Sequence, residues 1–358
     1  MRGPLLASLL EKNNNNFNLL RFLAAASVIV SHAWLATGGE SVAEPLLGPT
    51  PFTLGQHAVL VFFSLSGFLV AASLHRSRST RDFLKARALR VYPGLIACLA
   101  LITFVLGPAV TTHSVGDYAT DPGTYAYFAK SMTLLAGTFP LPGVFEGNPY
   151  PGVVDLPIWT LKYEIACYVL LAVLGGLGLF RKVAVIWSIF TLAVIAYLAI
   201  LVLPDLAVLP KTAYHLSRLI ATFFLGVLGW HYRHEIRLSA SFLALAIGAV
   251  VLCHGTPLAE LSWVVLDAYG AMCFTAIPLG ALRQATNRID ISYGLYIYGW
   301  TVEQTIVNAL PAFGPASVAV LAVFITTALA WLSWTLVEHP ALALKRPAQA
   351  RTTIVPAA

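Results

Sequence analysis

Charge is what this 358-residue chain has least of: Asp, Glu, Lys and Arg together make up 11% of it, against about 25% in soluble domains. Its length would allow two or three water-soluble domains, but so few charges cannot clothe their surfaces. Cysteine is scarce too. Cys98, Cys167, Cys253 and Cys273 each fall inside an apolar run without paired metal-ligand spacing. They read as small packing residues, and no metal is expected. No cleavable signal peptide is visible, because Asn13–Asn16 separate a short apolar patch from the first long one.

What remains is apolar. Hydrophobic residues make up 58% of the chain and recur in long runs from Phe17 almost to its end. Runs of about 20 residues can cross a hydrocarbon core of about 30 Å as helices. Without strict two-residue alternation, a barrel is disfavoured. The expected fold class is therefore all-α, a polytopic membrane bundle of about ten helices. They are placed near 18–36, 54–74, 91–110, 157–180, 183–203, 211–230, 238–253, 261–281, 291–310 and 316–337. A further patch at 124–139, bracketed by Asp121-Pro122-Gly123 and Pro140-Leu141-Pro142-Gly143, contains Lys130.

Charge sets the orientation. With a cytoplasmic N-terminus and a non-spanning 124–139, the inside loops hold 18 of the 22 Lys and Arg residues. The outside loops carry Glu40, Glu44, Asp117, Asp121, Glu146, Asp155, Asp205 and Glu260. This is the positive-inside pattern. Residues 1–17 and 340–358 are then short cytoplasmic segments around a membrane domain of 18–339, with 124–139 re-entrant or interfacial.

Ionisable residues inside such runs point to cavities. Arg21 and His32 lie on one face of the first helix, about 16 Å apart along its axis. A snorkelling arginine and a packing histidine would read the same way. Glu164 lies about two turns into the helix that opens Leu156-Pro157-Ile158-Trp159-Thr160, at a depth similar to that of His32. A carboxylate bonded to one imidazole nitrogen leaves the other free to take a proton. Ser64, Ser66 and Gly67 would let the second helix pack closely. The run from His75 to Pro93 holds six basic residues against one acid. It suits either an anionic ligand or lipid headgroups. Tyr296, Trp300 and Glu303, with Tyr293 a turn earlier, form a stripe expected to line a cavity.

In order along the chain stand Arg21 and His32, the Phe62-Phe63-Ser64-Leu65-Ser66-Gly67-Phe68 stretch and the basic Phe83–Pro93 segment. Trp159-Thr160-Leu161-Lys162-Tyr163-Glu164 and Ser292–Gly299 follow. This series, from about Asn18 to His339, resembles the membrane-bound acyltransferase-3 family, O-acyltransferases of surface glycans. The resemblance implies transfer of an acyl group, usually acetyl, from cytosolic acyl-CoA to a hydroxyl of an extracytoplasmic or lipid-linked carbohydrate at the cell inner membrane. It implies His32 and Glu164 as catalytic residues, Arg21, Ser66, Arg87 and Arg90 toward the donor, and Trp159 toward substrate. Tyr296, Trp300 and Glu303 are expected to join Trp159. The expected partners are a carbohydrate and the bilayer, without nucleic acid. Any appended hydrolase-like step would fall to a separate extracytoplasmic protein. Gly299 and Thr301 stand where many members have His and Pro, and Lys162 where a neutral residue is usual. A proton-coupled transporter, or a membrane partner in a glycan pathway, is the competing reading; a transporter would more often show two matching halves, and no internal repeat is visible.

Overall fold

The computed structural model describes residues 3–11, 15–134, 139–203 and 208–345, and among them every regular element is helical. In chain order the main helices are α1 (Phe17–Gly38), α2 (Leu54–Arg76), α3 (Thr80–Leu101), α4 (Pro122–Thr133), α5 (Ile158–Gly176) and α6 (Val183–Val202). They continue with α7 (Lys211–His231), α8 (Ala240–Cys253), α9 (Ala259–Ala276), α10 (Gly280–Thr286), α11 (Ser292–Ala309) and α12 (Pro315–Ser333). Arg2, Lys12, Asp205, Arg346 and Arg351, all relevant to the charge pattern, lie outside the described residues.

Local chemistry explains most of the boundaries. Thr53 and Gln56 form a capping box at the start of α2, and Ser239 accepts from the Phe242 amide to start α8. The basic segment before Val91, expected as a loop, is helical. Ser79 accepts from the Asp82 amide, and the helix then runs on through a π-helical stretch, Ile102–Leu106, to Val110. Residues 261–281, expected as one helix, break at Pro278. Ile277 is forced into an extended conformation, and α9 and α10 meet at 107°. The exposed carbonyls at that bend are satisfied by Asn16, which donates to Ile277 (2.7 Å) and Phe274 (3.2 Å), and by Arg283. Helix α4 has 12 residues, about 18 Å of length, short of a core of about 30 Å. Residues 135–138 of that patch lie outside the described ones.

Six helices among the described residues are long and apolar enough to cross a membrane, and a seventh if α9 and α10 count as one span. Leu192, Leu252 and Phe324 are 66%, 84% and 74% exposed. An outer surface of this kind belongs against lipid chains rather than water.

Helix α2 lies at the centre, packed on α1, α5, α7 and α9. Its contact with α7 is backbone to backbone. A Cβ on Gly67 would lie 1.9 Å from the Phe223 carbonyl oxygen, and one on Gly226 would lie 2.0 Å from that of Ser64. A Cβ on Gly299 would lie 2.7 Å from Ile29, so the departure from histidine there lets α11 approach α1. At one end, Leu6 and Leu9 are buried and Leu6 N–H donates to the Ile236 carbonyl (3.0 Å). At the other, Thr50, His57 and Asp267 form a chain: Thr50 Oγ1 lies 3.1 Å from His57 Nε2, and His57 Nδ1 lies 2.7 Å from Asp267. Cys98 and Cys167 are buried among the helices.

The close α2–α7 contact predicts that Gly226→Ala lowers the thermal midpoint of the purified protein in detergent. Overpacking of this kind costs about 1–3 kcal/mol. An unchanged melting curve would contradict the contact.

Candidate active site

Five helices enclose one polar cavity, with room for about 100 Å³ of water-sized solvent. Arg21 comes from α1; Phe62, Phe63 and Ser66 from α2; Arg87 and Arg90 from α3. Thr160, Glu164 and Tyr168 come from α5, and Ser292, Tyr293 and Tyr296 from the start of α11. Of the residues singled out by sequence, Arg21, Ser66, Arg87, Arg90, Glu164 and Tyr296 therefore share one space.

One end of the cavity is cationic, and Asp290 organises it. Its Oδ2 takes Arg90 at 2.7 Å and Arg21 at 3.3 Å, while Ser292 donates to Oδ1 at 2.6 Å. Burial alone would raise the Asp290 carboxyl, but Arg90 and Arg21 outweigh it and hold the group below the usual carboxylate range. Arg90 also lies 3.8 Å from Glu338. Arg87 is left without an acidic partner within 4.0 Å among the described residues. It donates to Ser73 (3.3 Å), lies 5.7 Å from the centre of the Tyr168 ring, and keeps a buried Nε with no acceptor. Such an orphaned donor beside two neutralised guanidiniums suits a phosphate oxygen.

Farther in, Ser66 Oγ donates to Glu164 Oε1 at 3.3 Å, and Tyr168 O–H makes a short bond to the same oxygen. The Tyr296 hydroxyl lies 2.6 Å from Thr160 Oγ1, bridging α11 and α5.

His32 stands elsewhere. Its ring packs edge-on against Trp300, centroids 5.4 Å apart, and its Nδ1 is buried with no partner. The imidazole and Glu164 are not hydrogen-bonded to each other: Glu164 is held by Ser66 and Tyr168. The α11 stripe divides. Tyr293 and Tyr296 line the cavity, whereas Trp300 and Glu303 are fully buried outside it. Trp300 donates to the Val153 carbonyl (2.7 Å), and both Glu303 oxygens lack partners. Trp159 lies beside the His215 ring, centroids 4.7 Å apart.

Asp290, Tyr168, Glu338 and Lys345 were missed by the sequence reading. Tyr168 follows Glu164 by four residues on one helical face, a legible signal. Nothing local to Asp290 announces that Arg21 and Arg90, far away in sequence, will meet there. Among the described residues no three His, Cys, Asp or Glu side chains gather as a metal site would require.

Apolar helices able to cross a bilayer, around a buried cationic and hydroxyl-bearing cavity, define a helical membrane protein with an internal polar site. The family model described as "Acyltransferase domain" matches residues 14–335, and the chain belongs to this acyltransferase-3 family. It is 30% identical to Nodulation protein 10 of Rhizobium leguminosarum bv. viciae, over 95% of this chain and 96% of that one. It is 27% identical to an O-acetyl transferase of Shigella phage Sf6, over 93% and 98%. A shorter likeness, 31% identity over 42% of this chain and 36% of the relative, links it to Acyltransferase MdmB of Streptomyces mycarofaciens. No solved structure matches significantly. The protein is thus an acyltransferase.

Lys345 makes the cationic end testable. Burial, with Arg87 and Arg90 nearby, lowers its ammonium pKa to about 8. A bound anion would hold the proton on, so affinity should be full below that pH and fall as pH rises through it. Titration with pyrophosphate between pH 7 and 9.5 should show this loss, and Lys345→Gln should remove that component. Identical pH profiles for the two proteins would exclude Lys345 from the anion's surroundings.

Proposed function

We propose that this acyltransferase moves an acyl group, acetyl in the first instance, from cytosolic acyl-CoA to a hydroxyl of an extracytoplasmic or lipid-linked carbohydrate. The observation that carries the reading is the cavity itself, with its orphaned Arg87 Nε at one end and its hydroxyl groups farther in. The likeness to the phage O-acetyl transferase supports acetyl as the group moved.

In this reading the chain crosses the inner membrane ten times with both ends cytoplasmic, and residues 18–339 form the catalytic domain between short segments at 1–17 and 340–358. The support is the placement of 18 of the 22 Lys and Arg residues at one side, together with an α4 too short to span. Arg87, with Arg21, Arg90 and Lys345 around it, takes the phosphates of the donor. The acyl-bearing arm extends past Ser66, Glu164 and the Thr160–Tyr296 bridge toward His32, about 16 Å along α1 from Arg21.

There His32 takes the proton of the acceptor hydroxyl, whose oxygen attacks the thioester carbonyl. The C–S bond breaks, and the proton passes from the imidazolium to the departing CoA sulfur. Trp300 fixes the ring edge-on, and the free Nδ1 is available for an orienting partner once substrates are bound. Glu164 is assigned that part; Trp159, Tyr296, Trp300 and Glu303 shape the approach of the substrates. Any accessory extracytoplasmic protein would act on the acceptor side. A proton-coupled transporter also buries His, Glu and Arg, but an orphaned cation at a phosphate-sized site favours group transfer.

Two measurements decide this. Reporter fusions after Lys182, Arg237 and Arg288 should all read cytoplasmic; an external signal at these sites would mean that 124–139 spans. His32→Ala should lower acyl transfer to carbohydrate by about 10²–10⁴-fold while CoA binding persists. Glu164→Gln should also depress turnover, and the double variant should be no worse than His32→Ala, because a base and its orienting group act as one unit. Robust transfer by His32→Ala would remove the base from the mechanism.

A further inference from the structure

Under the orientation above, four Lys and Arg residues are left off the cytoplasmic side: Lys130, Lys162, Lys211 and Arg218. Three of these four gather at one place. Arg218, on α7, is 2% exposed, yet among the described residues it has no carboxylate within ion-pair distance. It donates to the Tyr214 hydroxyl (3.1 Å) and lies 3.4 Å from His215 Nδ1. Its Nε is buried without an acceptor. The Tyr214 hydroxyl links it to a carboxylate, donating to Glu260 at 2.5 Å. Glu260 is shared in turn with the Tyr197 hydroxyl.

The aromatic neighbours face the same spot. The His215 ring lies 4.7 Å from that of Trp159 and 6.4 Å from that of Tyr163. The Lys162 ammonium sits 5.0 Å from the centre of the Tyr163 ring. Lys211 is four residues before His215 on α7, hence on the same face, and both lysines are within electrostatic reach of that imidazole. A single turn of α5 separates the two surfaces: Thr160 and Glu164 turn to the donor cavity, whereas Trp159 and Tyr163 turn to His215. Lys162 is also the departure noted in the Trp-Thr-Leu-Lys-Tyr-Glu segment.

A buried guanidinium short of a partner, two lysines and a partly exposed tryptophan make a surface for a ligand with both an anionic group and an apolar ring face. We propose that this is the acceptor subsite, and that the acceptor is an acidic carbohydrate, whose sugar carries a carboxylate or a phosphate. Trp159 takes the ring face, as aromatic side chains pair a broad apolar surface with polar edges. Lys162 and Lys211 attract the anion, and Arg218 receives it. This inference rests on the acyl-transfer reading for its meaning, but its binding test does not.

The test uses the full chain in nanodiscs of neutral lipid. Binding is followed by Trp fluorescence for a glucuronate-containing tetrasaccharide, a neutral tetrasaccharide of equal length and glucose 1-phosphate. The acidic tetrasaccharide should bind about tenfold or more tightly than the neutral one, with the preference shrinking as salt rises. Lys162→Gln combined with Lys211→Gln, two side chains outside the packed core, should erase that preference while CoA still binds. Arg218→Gln should do the same if it folds, which its melting curve reports. A preference shown by glucose 1-phosphate alone assigns the anion as phosphate; one shown by the glucuronate sugar assigns carboxylate. Equal binding of acidic and neutral sugars, or an acid preference untouched by the lysine changes, overturns the proposal. So does a lysine effect seen only with phosphatidylglycerol in the nanodisc, which would make this a lipid contact. Acid-selective binding without acyl transfer would refute the proposed reaction and leave the subsite standing. Unimpaired transfer to an acidic acceptor by the double lysine variant would do the reverse.

Discussion

Three guanidinium groups cannot be drawn into an apolar bundle unless something answers their charge, since stripping an ion of water costs several kcal/mol even after relaxation. Here a single carboxylate, Asp290, answers two of them and so ties α1, α3 and α11 together at one end of the cavity. Ser292 holds the other oxygen of Asp290 at the first residue of α11. The start of that helix, and with it the position of Tyr293 and Tyr296, is set by the same carboxylate.

The arithmetic of that pairing leaves Arg87 over. Its neighbours are a serine hydroxyl and two aromatic rings, which satisfy packing but not charge. A cation in such a setting is stable enough to persist and unsatisfied enough to bind, the combination a phosphate site requires. Arg218 repeats the situation: it is buried, and its Nε has no acceptor among the described residues. The two orphaned guanidiniums lie on different faces of the α5 turn around Thr160, Lys162 and Glu164, so the proposed donor and acceptor subsites would flank one short stretch of helix.

Much of this was legible before any coordinates. Helix α1 was expected at 18–36 and runs Phe17–Gly38; α11 was expected at 291–310 and runs Ser292–Ala309. Long apolar runs and polar breaks suffice for that, because a membrane leaves the backbone few alternatives. The basic segment was misread as loop because its charges mask the Ser79 cap and the leucines and alanines between them. The α9 break was overlooked although Pro278 signals it. Arg21, Ser66, Arg87, Arg90 and Glu164, expected from motif order, and Tyr296, expected from its helical stripe, line one cavity. The relation of His32 to Glu164 was not readable, because similar depth on two helices fixes neither rotation nor neighbour. Asp290 was invisible for a related reason: its value lies in contacts separated by 269 and 200 positions in the chain.

Those separations bear on how the protein is made. Asn16, just before α1, bonds to carbonyls 258 and 261 residues later, and Arg21 waits for Asp290. At roughly 5–20 residues per second of synthesis, about 13–50 s pass before the residues that Asn16 and Arg21 bond to are made. Until then Arg21 lacks the carboxylate that pairs with it. Helix α2, which packs on α1 in the finished fold, is made soon after it, whereas the α11 residues that complete the pocket come far later in the chain.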